Sequence, residues 1–237
     1  NQEKIVLNDF NIWKMIIFFS VQSGIFYGIS TWLVPFLENK NVDKSQVIML
    51  LTVFVAAQML FGFVIPLVMH KIGSIRKWTI TSSLCLVIGC IIPLVMPVNI
   101  FSTIVFIMLM SIGLGGSFPI AMILPLKYAK TANEASVVTS VVQAFGYIIG
   151  GIIPVFFGYI VDSTKNFNNL FVQMAVGSVI LLMIGMSKFL NINTRFFYGL
   201  AMFPFLLNIK KNRFNILIFL AVNLLSAIYL YNESYVY

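Results

Sequence analysis

The chain has 237 residues, 60% of them hydrophobic and only 9% charged, with a formal net charge of +8. A soluble domain carries about a quarter charged residues, so this composition excludes a water-clothed globule and makes lipid the solvent for most of the surface. The basic residues stand singly or in pairs between apolar runs, the arrangement that sets topology in membranes, so a lipid bilayer is the expected partner and nucleic acid is not.

About 20 apolar residues cross a bilayer core, and charge-free runs of that length place the spans. The first is predicted at about 13–37. It carries Ser20, Ser23, Tyr27 and Ser30 at helical spacing, with Gln22 beside them and Trp32 further along. Such a polar stripe either lines a wet path or supplies interhelical hydrogen bonds; both readings stand. The second span, about 45–70, holds Gln58 as its one strongly polar interior residue, again as path lining or as interhelical glue. His70 at its end, beside Lys71, reads as interfacial. The following stretch HKIGSIRKW is short and basic, and Gly73, Arg76 and Lys77 make it either a gating latch or a topology-setting turn.

Residues 78–126 contain no charge and are too long for one helix. Pro93, Pro97 and Asn99 divide them into a third span at about 78–96 and a fourth at about 100–126. Cys85 and Cys90, five apart with no His or carboxylate nearby, read as small packing groups and not as a disulfide or metal site. Gly113, Gly115, Gly116, Ser117 and Pro119 are expected to loosen the fourth span and free carbonyls for water or solute; the alternative is a kink for packing. The fifth span, about 135–161, has Gly146, Gly150, Pro154 and Gly158 at intervals of four, a ladder for close helix contact. Gln143 and Tyr147 lie one turn apart on an adjacent face and are site candidates. The sixth span is predicted at about 166–187.

The domain expectation is therefore a helix bundle over 1–190 and an atypical tail over 191–237, with an interfacial segment at 196–209 and a candidate further span at 214–231. If the N-terminus is cytoplasmic, nine basic residues fall inside (Lys4, Lys14, Lys71, Arg76, Lys77, Lys127, Lys130, Lys188, Arg195) against three outside (Lys40, Lys44, Lys165). That bias supports six spans independently of hydropathy.

Every Asp, Glu, Lys and Arg of the six spans falls at a span end or in a loop, so no proton wire or buried counter-ion is evident. No nucleophile–base pair, phosphate loop or metal-ligand cluster stands out. No catalytic residue, cofactor or metal is expected, and the chain does not read as an enzyme.

Several stretches carry a family resemblance. VQSGIFYGISTWLVPFL, preceded by Trp13, resembles the seventh helix of a major facilitator superfamily transporter through Gln22-Ser23, Phe26-Tyr27, Trp32-Leu33 and Pro35. GLGGSFPIAMILPLK is similar to the tenth helix of that family. TSVVQAFGYIIGGIIPVFFGYIVDSTKNF is similar to the eleventh through Gln143, Gly146-Tyr147, Pro154, Gly158 and Asp162, and HKIGSIRKW resembles the basic loop between helices eight and nine. In this order, across the first 187 residues, they resemble the cyanate permease/2-nitroimidazole transporter group. The resemblance implies an all-α polytopic membrane protein, the C-terminal six-helix half of that fold; the hydrophobic tail from about residue 191 departs from the family pattern. It implies alternating-access transport of a small solute, a small anion such as cyanate or a nitroimidazole-like compound, at an interface with an N-terminal six-helix half or a second copy. The implied setting is the bacterial plasma membrane. Gln22, Ser23, Tyr27, Trp32, Gln58, Ser117, Gln143 and Tyr147 are the path candidates; a truncated or non-transporting protein that retains the fold is the alternative.

Overall fold

The computed structural model describes residues 9–72 and 74–187, with side chains except at 69–72. Six helices account for nearly all of it: α1 (Phe10–Asn39), α2 (Lys44–Ile72), α3 (Ile75–Val95), α4 (Ile100–Tyr128), α5 (Ala132–Thr164) and α6 (Asn168–Met186). All six contain stretches long and apolar enough to cross a membrane. Gly73 and the tail, with its expected segments at 196–209 and 214–231, lie outside the described residues.

Short polar caps set the helix ends. The Asp9 carboxylate accepts from the Asn11 N–H at 2.8 Å, and Asn99 and Ser102 form a reciprocal capping box before α4. The Thr131 hydroxyl accepts from the Glu134 N–H at 3.1 Å. Such caps satisfy amides that the first turn leaves unpaired. Asn41 and Lys165 take the left-handed backbone conformation, φ 58° and 52°, where α1 and α5 stop.

Connections this short make successive helices antiparallel. The basic end of the bundle holds the start of α1 and the α2–α3 and α4–α5 connections. The far end holds the other three. α1 and α4 are the most enclosed helices. Each touches both α2 and α5, and α3 packs against α4 and α6. The bundle thus has α1 and α4 in the middle, α2 and α5 on the flanks, and α3 with α6 behind. Phe18, Phe19, Phe36, Phe54, Phe106 and Phe171 are fully buried between them.

The structure refines three expectations. Pro93 does not end the third span: α3 continues through it to Val95, and the break falls at residues 96–99. α1, α3 and α5 run on past the expected span ends at 13, 78, 135 and 161. α4 is not broken by its glycines and prolines; it is one continuous helix from Ile100 to Tyr128. Its glycines are packing sites instead: a Cβ on Gly113, Gly115 or Gly116 would come within 2.5 Å of Leu86, 2.7 Å of Phe61 or 2.2 Å of Ser82.

Candidate functional site

The glycine ladder of α5 lies along α1, and the two helices run parallel. A Cβ on Gly146 would stand 2.5 Å from Phe19, on Gly150 2.9 Å from Ser23, and on Gly158 2.5 Å from Trp32. The Trp32 indole N–H donates to the Pro154 carbonyl at 3.0 Å across the same seam. Ser20 is buried there, and its hydroxyl donates to the Ile16 carbonyl of its own helix at 2.7 Å. Ser30 likewise bonds back to Phe26 at 2.8 Å. Gln22 and Ser23 are 2% and 4% exposed, with the Ser23 hydroxyl donating to Gln22 Oε1 at 3.3 Å. Half of the α1 stripe is therefore seam, enclosed by α5.

The other half faces outward. Tyr27 is half-buried beside Phe26, whose ring also meets Phe54 of α2 at 6.2 Å. On α2, Gln58 is half-buried, while its backbone carbonyl would lie 2.9 Å from a Cβ on Gly115. Ser117 on α4 is fully enclosed, and its hydroxyl donates to the Leu114 carbonyl at 3.3 Å. Gln143 donates its amide N–H to the Met122 sulfur at 3.3 Å. Tyr147 is 42% exposed and meets Phe19 edge-on at 4.8 Å; Phe19 also touches Phe118 at 6.5 Å.

Two clusters result. Gln143, Tyr147, Phe19, Phe118 and Met122 gather where α1, α4 and α5 meet; Tyr27, Phe26 and Phe54 gather on the α2 side. At 1.5 Å per residue, Tyr27, Gln58, Ser117, Gln143 and Tyr147 all lie within about 8 Å of their helix midpoints. No Asp, Glu, Lys or Arg among the described residues shares that depth. Neutral amides, phenols and aromatic faces can hydrogen-bond and stack against a planar solute. They offer no acid–base pair, and the described residues hold no metal-ligand cluster.

Phe118 and Met122 were missed from sequence. They stand four apart, so they share a helix face, and that spacing just past the glycine pair was the available signal. The Arg76 guanidinium of the basic stretch donates to the Met186 carbonyl at 2.9 Å, fastening the end of α6. The exposed Lys77 takes its backbone cap from Ser74. A separate groove of about 280 Å³ opens between α1, α5 and α6, walled by Val21, Ile153, Phe157, Gly177 and Gln173. It includes none of the candidate residues.

The chain is similar to known proteins over much of this bundle. It is 23% identical over 154 residues to the uncharacterized transporter YycB of Bacillus subtilis (strain 168), covering 65% of this chain and 38% of that one. It is 22% identical over 174 residues to the 2-nitroimidazole transporter of Escherichia coli (strain K12), covering 73% and 44%. The chain thus spans about two fifths of the length of these relatives. Among solved structures, the peptide transporter POT in complex with sulfate superposes with a TM-score of 0.66 at 16% identity, over 74% of this chain and 37% of that one, which is a likeness of fold. The sequence pattern of the Major Facilitator Superfamily matches residues 2–154, well over half of the chain. The chain is a multi-pass membrane protein that belongs to the Major Facilitator Superfamily of transporters.

Proposed function

We propose that residues 1–190 form the C-terminal six-helix half of an alternating-access transporter, working against an N-terminal half or a second copy. The observation that carries this is the placement of Tyr27, Gln58, Gln143 and Tyr147, all partly open, at mid-depth on the three helices α1, α2 and α5 around α4. A path for solute through two rocking halves needs its polar groups at that depth. The absence of charge there, among the described residues, favours a small solute held by hydrogen bonds and stacking. A nitroimidazole-like compound fits that description, and the 2-nitroimidazole transporter relative supports it; a small anion such as cyanate would need its cationic partner from outside these helices. Ser117 and the Gln22–Ser23 pair, enclosed in this arrangement, would join the path only if the seams open. The basic end faces the cytoplasm of a bacterial cell in this reading, and residues 191–237 form a separate tail.

The test is uptake of labelled 2-nitroimidazole, with cyanate as the competing arm, in cells expressing the full-length protein. Gln143→Leu and Tyr147→Phe each remove a hydrogen-bonding group and should lower uptake about tenfold, the effect of one such bond on binding. Uptake untouched by both substitutions would remove these residues from the path. Uptake of labelled cyanate with no uptake of the nitroimidazole would move the reading to the anion.

A further inference from the structure

α4 changes partners along its length. Its far two thirds is gripped by α2 and α3: Ser111 donates to the Phe54 carbonyl at 3.2 Å, and Gly113, Gly115 and Gly116 sit against Leu86, Phe61 and Ser82. Beyond Ser117 the named contacts pass to the other pair. Phe118 touches Phe19 of α1, Met122 accepts from Gln143 of α5, and the Tyr128 hydroxyl donates to the Asp9 carboxylate at the start of α1. The handover falls at Pro119, which has no N–H to give to the Gly115 carbonyl, and Pro125 leaves the Ala121 carbonyl in the same position. Two missing rungs make the last third of α4 the part that bends at least cost, while the α2–α3 grip holds the rest.

We propose that residues 119–128 are an arm hinged at Pro119, and that the hydrogen bond from Tyr128 to Asp9 is the tie that holds its tip to α1. Asp9 is well placed to be the anchor. Its second carboxylate oxygen accepts from the Asn11 N–H at 2.8 Å, so the group is held by the helix it caps. Motion of α1 and α5 against α2 and α3 loads this arm, because α4 is held by both pairs. With the tie intact the arm follows α1; with the tie broken it is free at one end and hinged at the other. The arm carries Met122, and Phe118 stands just before its hinge, so its position sets the surroundings of Gln143. The proposal does not depend on which solute is carried, or on whether one is.

Amide hydrogen exchange on the full-length protein in lipid nanodiscs tests it. Tyr128→Phe keeps the ring and removes only the donor, and should speed exchange over 120–128 about tenfold, the worth of one hydrogen bond to a carboxylate, with 102–114 unchanged. Asp9→Asn keeps a cap acceptor for Asn11 but loses the charge, and should act in the same direction. The double variant should go no further than the stronger single one. Pro119→Ala, which restores an N–H opposite Gly115, should shrink the effect of Tyr128→Phe. Unchanged exchange over 120–128 in both single variants would overturn the tie. Acceleration spread evenly over α4, or left intact by Pro119→Ala, would overturn the hinge.

Discussion

The Asp43 carboxylate closes the turn before α2. It accepts from the hydroxyl and the backbone N–H of Ser45, and its own carbonyl takes the Val47 N–H at 3.0 Å. The Ser45 hydroxyl, first, and then the backbone amides hold this carboxyl below the usual carboxylate range. A depressed folded value means the cap is fully present above the unfolded value of about 4 and is lost as pH falls through the lower folded one. Exchange at the first turn of α2 should therefore rise only below about pH 4, and Asp43→Ala should show the raised rate already at pH 7. On α1, Trp32 is a clasp: its N–H reaches Pro154 while its ring covers Gly158. Trp32→Phe keeps part of the ring and leaves the Pro154 carbonyl without this donor. That should cost about 1 kcal/mol, read as a lowered melting temperature of the purified protein.

Helices in lipid are held by close packing, since lipid tails compete for apolar contact, so the seams reward small residues. The α2–α4 crossing shows how little slack they leave. A Cβ on Gly115 would stand 2.9 Å from the Gln58 carbonyl and from the Gly62 amide, both backbone atoms that cannot rotate away. On α5, a Cβ on Gly151 would meet nothing within 4 Å. Gly115→Ala should therefore lower the melting temperature by forcing α2 and α4 apart, and Gly151→Ala should leave it unchanged or raise it slightly through helix propensity. Equal effects at the two positions would remove backbone contact as the cause. The existence of these helices was legible because charge-free length is what the bilayer core requires. Their ends were less so: Arg76, Lys77, Glu134 and Asp162 lie inside helices, where the backbone continues after the apolar run has stopped. The α5 ladder was also legible as a packing stripe. The wet and dry halves of the α1 stripe were not, because Ser20 and Tyr27 differ only in what α5 covers, and that depends on the register between two helices far apart in sequence.

The charge distribution supports the proposed orientation of the bundle. Arg76, Lys77, Lys127 and Lys130 gather at the basic end, and Lys40, Lys44 and Lys165 at the far end. Counted over residues 1–195 with the N-terminus cytoplasmic, the excess is nine to three, and basic residues in short loops favour the cytoplasmic side. A label that cannot cross the membrane reads this directly. Lys165→Cys, at the left-handed turn after α5, should react with an impermeant maleimide added to intact cells. Lys130→Cys, exposed in the α4–α5 connection, should react only after the membrane is opened. The native thiols leave the assay clean. Cys90 is fully buried and Cys85 half-buried, both within the apolar span α3 and away from the aqueous reagent. Six spans require opposite outcomes at the two sites, because α5 alone separates them. Labelling of both from outside would break the span assignment of α5. Labelling of Lys130→Cys alone would invert the bundle and place nine basic residues outside, against the physics that retains them.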